Sequence, residues 1–419
     1  MSSTSVPAPA AQAVPTASPL RVIISVRPFR GHLHPLIPLA RAFRRQGHRV
    51  AVATAEDMAT VVTGAGLIWL PAGLNPRQLW DAFPDEDPDY GYLAVKAKVA
   101  DLLEIAVEHF PPDVIIREPT DLAPAIAAEI TGAVHAVYGL GHFIPPKSWR
   151  ILKADKTVKA LRSEYGLPED PELESLYRDL YLSVLTPTFE GCDPLPVPAV
   201  QKLCYAVYDG GGTPIYAPDA PGLAGPAAPL VEDNGRPAIL MTLGTVYNTN
   251  ADLFSRFLEA LGSEPVNVVC TLGDGASDAV TNVTKDAPAN VRFEQYLPHS
   301  LILPHCQAML CHAGFNTMMG GLSAGVPIVC VPLGSDQEYN ARACATDGLG
   351  LMIKDKEASA ERIREAVRRV LDEPSFAENA RAFASDLARR PGFPVAIRRI
   401  EALAAARSSG KHKVAARKA

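Results

Sequence analysis

Several features are scarce or missing from this chain of 419 residues, and each absence closes off a class of function. None of its seven cysteines forms a C-x-x-C pair, and Cys311 and Cys330 stand inside apolar runs. Neither a thiolate zinc site nor a disulfide framework is therefore encoded, and buried free thiols in a reducing cytoplasm fit that usage. An excess of positive charge is also lacking: 40 Lys and Arg face 46 Asp and Glu, a net charge of −6, which argues against nucleic acid as a partner. No apolar run approaches the roughly 20 residues of a membrane helix. Residues 1–19, rich in Ala, Pro and Ser, lack the charged start and apolar centre of a leader and read as a disordered extension. No repeat of solenoid period is present. The first strand is followed by Arg27-Pro-Phe-Arg-Gly-His32 and not by G-x-G-x-x-G, which disfavours a dinucleotide-dependent dehydrogenase.

What remains is an alternation of short apolar strands with helices. The pattern predicts strands at 20–26, 49–54, 67–70, 114–116 and 133–138, with helices at 35–46, 56–64, 92–109 and 122–130. It weakens between 139 and 180, where a charged piece at 153–164 reads as a solvated helix face. A Gly/Pro/Ala-rich stretch, 210–236, has the composition of an interdomain linker. The plan then restarts, with strands at 238–242, 266–271, 291–293, 308–311, 328–331 and 349–353 and helices at 360–371, 376–389 and 394–405. The expected class is α/β, with two doubly wound Rossmann-like domains at 20–209 and 237–392, a last helix at 393–407 and a frayed basic tail at 408–419.

The densest chemistry lies between Cys306 and Tyr339. An apolar strand runs straight into His312-Ala-Gly-Phe-Asn-Thr317 at the start of a helix, where unpaired N–H groups and the helix dipole make a site for a diphosphate. Gly314 would let an anion approach the backbone, and His312, Asn316 and Thr317 can donate hydrogen bonds to it. A second strand ends in a loop carrying Asp336 and Gln337, which suits sugar hydroxyls at the carboxyl edge of an open sheet. This block resembles the donor signature of the family 1 glycosyltransferases, H-x-G-x-N-S/T followed by D-Q, at His312, Gly314, Asn316, Thr317, Asp336 and Gln337.

The resemblance spans residues 20–405 and implies the GT-B architecture, two halves facing across a cleft with the final helix returning to the first half. It implies Thr245 as a second phosphate contact and Tyr296 as a platform for the nucleobase, with a core aromatic close behind as the other reading of Tyr296. In the G-H-x-x-P arrangement of Gly31, His32 and Pro35, a histidine with an ordinary pKa near 6.5 is a largely neutral base at cellular pH. The resemblance selects His32 as general base and leaves His34 a bystander. Glu118, and after it Asp121, are the candidates to orient that base, either being open to reading as a helix-start carboxylate. Uridine-nucleotide users of the family carry glutamate where Gly320 stands, so the resemblance favours a dTDP-sugar, typically a deoxysugar. Asp85-Glu-Asp87 and Asp87-Pro-Asp89 spell D-x-D, but in an acidic loop remote in sequence from the nucleotide turn; no metal and no cofactor is expected.

The resulting expectation is an inverting, metal-independent, cytoplasmic glycosyltransferase similar to the antibiotic-tailoring enzymes of actinomycetes. Its expected partners are a dTDP-sugar donor and a hydrophobic natural-product aglycone such as a polyketide, with a homodimer left open. Two rivals stand beside it. A nucleotide-sugar epimerase of the same shape predicts several cleft carboxylates and little need for His32, and a non-catalytic nucleotide-sugar-binding or auxiliary protein predicts no transfer.

Overall fold

The computed structural model describes residues 18–85, 87, 90–210, 231, 234–244, 247–273, 277–283, 285 and 287–418, with side chains to Ser409 except at 278 and 281. Seven parallel strands form the first sheet: β1 (Arg21–Ser25), β2 (Arg49–Thr54), β3 (Ile68–Pro71), β4 (Val114–Arg117), β5 (Val134–Tyr138), β6 (Leu180–Ser183) and β7 (Val200–Lys202). Six form the second: β8 (Ala238–Thr242), β9 (Asn267–Thr271), β10 (Val291–Glu294), β11 (Ala308–Cys311), β12 (Ile328–Cys330) and β13 (Gly350–Met352). Their orders are β3-β2-β1-β4-β5-β6-β7 and β10-β9-β8-β11-β12-β13. Each sheet reverses direction of winding once, between β1 and β4 and between β8 and β11, and such a reversal opens a crevice at the carboxyl ends of those strands.

The central strands are largely apolar and buried because helices cover both faces, whereas the edge strands β3, β7 and β10 are partly exposed. In β1, Val22 and Ile24 enter one core cluster while Ile23 enters another; in β8, Ala238 and Leu240 face one cluster, Ile239 and Met241 a second. The last helix, Phe393–Lys418, crosses back to the first half and buries Ala396, Ile397 and Ile400 in the cluster that holds Leu39 and Phe43. Polar contacts fix its angle: Arg399 donates to the Val200 carbonyl at 2.7 Å, Arg407 pairs with Asp179 at 2.7 Å, and Glu401 lies 3.4 Å from His48 Nε2.

Strands β6 and β7 are absent from the sequence-based expectation, and both lie at one edge of the first sheet. The charged piece is the helix Ala154–Glu164, which buries Val158 and Leu161 as well as presenting a solvated face. His32 sits in a helical turn, Arg30–Leu33, ahead of the expected start at Pro35. The last helix continues to Lys418, past the expected end near 405 and through the stretch expected to fray. The expected linker lies mostly outside the described residues. Among the described residues, no helix is long and apolar enough to cross a membrane.

Ile400 is fully buried between the returning helix and the first half. Ile400→Ala should therefore cost about 2–5 kcal/mol, read as a lowered denaturation midpoint, because the cavity it leaves joins two separate elements.

Candidate active site

The two crevices are lined by the segments leaving the four switch-point strands. His32 lies beyond β1, Glu118 beyond β4, Gly244 beyond β8 and His312 beyond β11. His32 and Glu118 form one pair and Gly244 and His312 another; the members of each are remote in sequence and meet through the strand order.

In the first half, His32 Nδ1 lies 3.1 Å from Glu118 Oε1, at ion-pair distance but off the axis of a linear hydrogen bond. The carboxylate is buried, and its other contacts come from Thr120, whose backbone N–H donates to Oε2 at 2.6 Å and whose hydroxyl donates at 2.8 and 2.9 Å. Burial alone would raise the Glu118 pKa, but His32, Arg27 and the Thr120 N–H outweigh it and hold the group down to about 2. Glu118 is thus ionised at every pH at which the protein would work.

Asp121 is engaged elsewhere. Its carboxylate accepts from Lys98 Nζ at 2.6 Å and from the Ser25 hydroxyl at 2.7 Å, a buried network that fastens β1 to the segment after β4. Of the two carboxylates considered from sequence, only Glu118 meets His32. One contributor was missed: Arg117, fully buried, donates from Nη1 to the carbonyls of Glu118 (3.1 Å), Pro119 (2.6 Å) and Asp121 (3.4 Å). Its Nε donates to His135 Nε2 at 3.0 Å, and Nη2 to the Leu176 carbonyl. A guanidinium spent on main-chain carbonyls clamps the turn that carries Glu118. The only sequence signal was an arginine inside an otherwise apolar strand.

In the second half, the His312 ring fits between two glycines. A Cβ at Gly314 would stand 2.4 Å from His312 Nε2, and one at Gly244 2.7 Å from Cε1, both closer than real Cβ contacts. Gly314 therefore makes room for the histidine beside it, a requirement additional to the approach of an anion. Burial pushes the His312 pKa down to about 4 against a weaker opposing contact with the Thr242 backbone, so the ring is neutral and offers a hydrogen bond, not a charge. Ala313 then takes a left-handed conformation, φ 62°, which a non-glycine residue adopts at a cost. Its carbonyl accepts from Asn340 Nδ2 at 3.1 Å, and the same amide group donates to Asp336 Oδ2 at 2.9 Å. Asn340 thus ties the turn after β11 to the loop after β12, a role marked in sequence only by its i+4 spacing from Asp336.

Gln337 is buried, with Oε1 accepting from the backbone N–H of Leu333 at 2.8 Å and of Gly334 at 3.2 Å, so half of its amide shapes the loop. Asp336 stays half-buried and abuts the first half, 3.1 Å from where a Cβ on Gly141 would be. Asn316 also reaches across: Nδ2 donates to the Gly31 carbonyl at 2.7 Å and Oδ1 accepts from the Tyr205 hydroxyl at 3.0 Å. Thr317 is half-buried one residue further along the helix Phe315–Ser323, whose cap Gly314 supplies no side chain to its N–H groups. Tyr296 is 40% exposed, which removes the core reading, and its hydroxyl donates to the Asp209 carbonyl. At Gly320 a Cβ would meet only Leu303 Cδ1, at 3.7 Å. Thr245 lies outside the described residues, as does Asp89 of the D-x-D pair, while Asp85 and Asp87 are exposed. Among the described residues, the group able to gather three metal ligands is Glu104, Glu108 and His109, all exposed and at the end of a helix outside these crevices.

This packing has two measurable consequences. Gly314→Ala should abolish nucleotide binding in a thermal-shift or calorimetric titration and lower stability by about 1–3 kcal/mol, since the ring of His312 has nowhere to move. His34, His299 and His312 are each held neutral, with pKa values near 4 chiefly through burial. As pH falls from about 6.5 to 4 the unfolded chain binds these protons and the native chain does not, so stability should fall through that window. Glu118 adds a second loss between about 4.5 and 2. His299→Gln should flatten the first window by up to about 1.4 kcal/mol per pH unit, measured as the pH dependence of Tm.

Residues 255–403 match the family described as the erythromycin biosynthesis protein CIII-like C-terminal domain. The chain is 29% identical over 435 residues to the 4'-demethylrebeccamycin synthase of Lentzea aerocolonigenes, covering 91% of this chain and 99% of that one. It is 30% identical over 390 residues to the L-demethylnoviosyl transferase of Streptomyces niveus, covering 89% and 95%. The solved structure of the glycosyltransferase VinC in complex with dTDP shares the fold, with TM-score 0.73 at 22% identity over 92% of this chain and 99% of that one. The paired parallel sheets and these likenesses agree, and the chain belongs to the GT-B glycosyltransferases of natural-product biosynthesis.

Proposed function

We propose that this chain transfers a sugar, most simply a deoxysugar, from a dTDP-sugar to a hydroxyl of a hydrophobic natural-product aglycone, with inversion and with His32 as general base. The observation that carries this reading is the His32–Glu118 pair standing one residue from Gly31, whose carbonyl touches the first turn of the helix Phe315–Ser323. An acceptor between them would have a base on one side and a diphosphate site on the other.

The ionised Glu118 favours the Nδ1–H tautomer of His32 and leaves the Nε2 lone pair for the acceptor proton; the misaligned contact is of the kind that tightens once substrate is bound. As that proton moves to Nε2, the acceptor oxygen attacks the anomeric carbon. The bond to the diphosphate breaks, and its electron pair leaves on the β-phosphate oxygen. That charge meets the helix N–H groups and the neutral His312, which needs no metal and no cofactor. Attack opposite the leaving group turns an α-linked donor into a β-linked product. Asp336 and Gln337 Nε2 are the groups assigned to the sugar hydroxyls, Thr317 and Thr245 to the phosphates, and the Tyr296 face to the base. VinC, a relative in fold, binds dTDP. The glycine at 320 supports the same nucleotide. A small cleft lined by Arg27, Pro28, Leu74, Leu79, Thr120 and Leu122 is assigned to the acceptor.

Incubation with dTDP-deoxysugars and a panel of polyketide and aromatic aglycones should yield a β-glycoside, identified by its anomeric NMR coupling, at a rate unaffected by EDTA. His32→Ala should lower kcat by about 10²–10⁴-fold with dTDP affinity unchanged. Undiminished transfer by that variant would remove the proposed base, and release of free nucleotide with an epimerised sugar would favour the rival enzyme.

A further inference from the structure

Asn316 reads in sequence as a diphosphate ligand, but both ends of its side chain are occupied by protein. The Gly31 carbonyl can only accept, so the amide nitrogen must face it, at 2.7 Å; Oδ1 is then left for a donor, which the Tyr205 hydroxyl supplies at 3.0 Å. Neither end can be exchanged without opposing two acceptors. Tyr205 is itself fixed. It is buried, lies beyond β7 of the first sheet, and sets its ring edge-on to Phe315, with centroids 5.7 Å apart. Burial raises its pKa, so the hydroxyl keeps its proton. Gly31 is the residue before His32, and Phe315 opens the helix that Asn316 continues. The carboxamide therefore sits where the base and the leaving-group site must be held at one distance.

We propose that Asn316 is an interdomain latch, a positioning residue that holds the main chain beside His32 against the donor helix, with Tyr205 setting the orientation of its amide. The inference rests on the transfer reading above for its effect on rate, but not for its effect on structure. Its backbone N–H stays with the helix terminus and remains available to a phosphate, so loss of the side chain should leave nucleotide affinity largely intact. A phosphate ligand would behave in the opposite way.

The test compares wild type with Asn316→Ala and Tyr205→Phe, the second a near-isosteric change that keeps the ring packing on Phe315. Amide hydrogen exchange over residues 27–36 should quicken by about tenfold or more in Asn316→Ala and by less in Tyr205→Phe, the loss of one or two hydrogen bonds. The dissociation constant for dTDP, measured by calorimetry, should change by less than about threefold, while kcat for transfer falls by about 10–100-fold. Unchanged exchange in both variants would overturn the latch. So would a dTDP affinity weakened more than about tenfold with kcat retained. If wild type transfers no sugar to any acceptor, the functional reading fails on its own, and exchange and dTDP affinity still decide whether the latch exists.

Discussion

Reversal of strand order at the centre of each parallel sheet is the constraint on which the remaining structure depends. It opens one crevice beside β1 and β4 and another beside β8 and β11; His32, Glu118 and His312 follow three of those strands, Asp336 and Gln337 follow β12, and Tyr296 follows β10 at the edge of its sheet. The returning helix Phe393–Lys418 and the apolar cluster shared between the halves bring the two crevices together. Through that arrangement Asn316, four residues past His312, reaches the carbonyl of Gly31, the residue before His32.

The two sides of the cleft differ electrostatically. The first half presents a buried carboxylate held ionised by its neighbours, the second a turn of neutral donors whose histidine is stripped of charge by burial. The second half is accordingly built by steric fit. Two glycines enclose His312, and the left-handed Ala313 is retained because Asn340 fastens its carbonyl.

Much of this was legible in the sequence because buried parallel strands announce themselves as apolar runs. All six strands of the second sheet and five of the first lie where the pattern puts them. The remaining two, β6 and β7, lie at one side of the sheet, where the alternation of strand and helix gives way to short helical turns and, before β7, to a Pro-rich stretch. The residues after β11 and β12 were visible as a motif, yet their partners were not. Arg117 and Asn340 act on backbone carbonyls, and Gln337, itself part of the motif, accepts from backbone N–H groups; main-chain partners leave no trace in residue identity. Asp121, the second candidate after Glu118, is held instead by Lys98 on a separate helix. The glycines of the signature read as anion-facing, while their tightest constraint is the neighbouring imidazole.

The central claim is that a base from the first half and a diphosphate site from the second serve one reaction. A crystal structure of the chain soaked with dTDP tests it most directly. The β-phosphate is expected on the backbone N–H groups at the start of the helix Phe315–Ser323, on the side that faces His32 Nε2, with the base beside Tyr296. Diphosphate density at any other helix terminus, or a nucleotide seated with His32 turned away from its β-phosphate, would contradict the shared cleft.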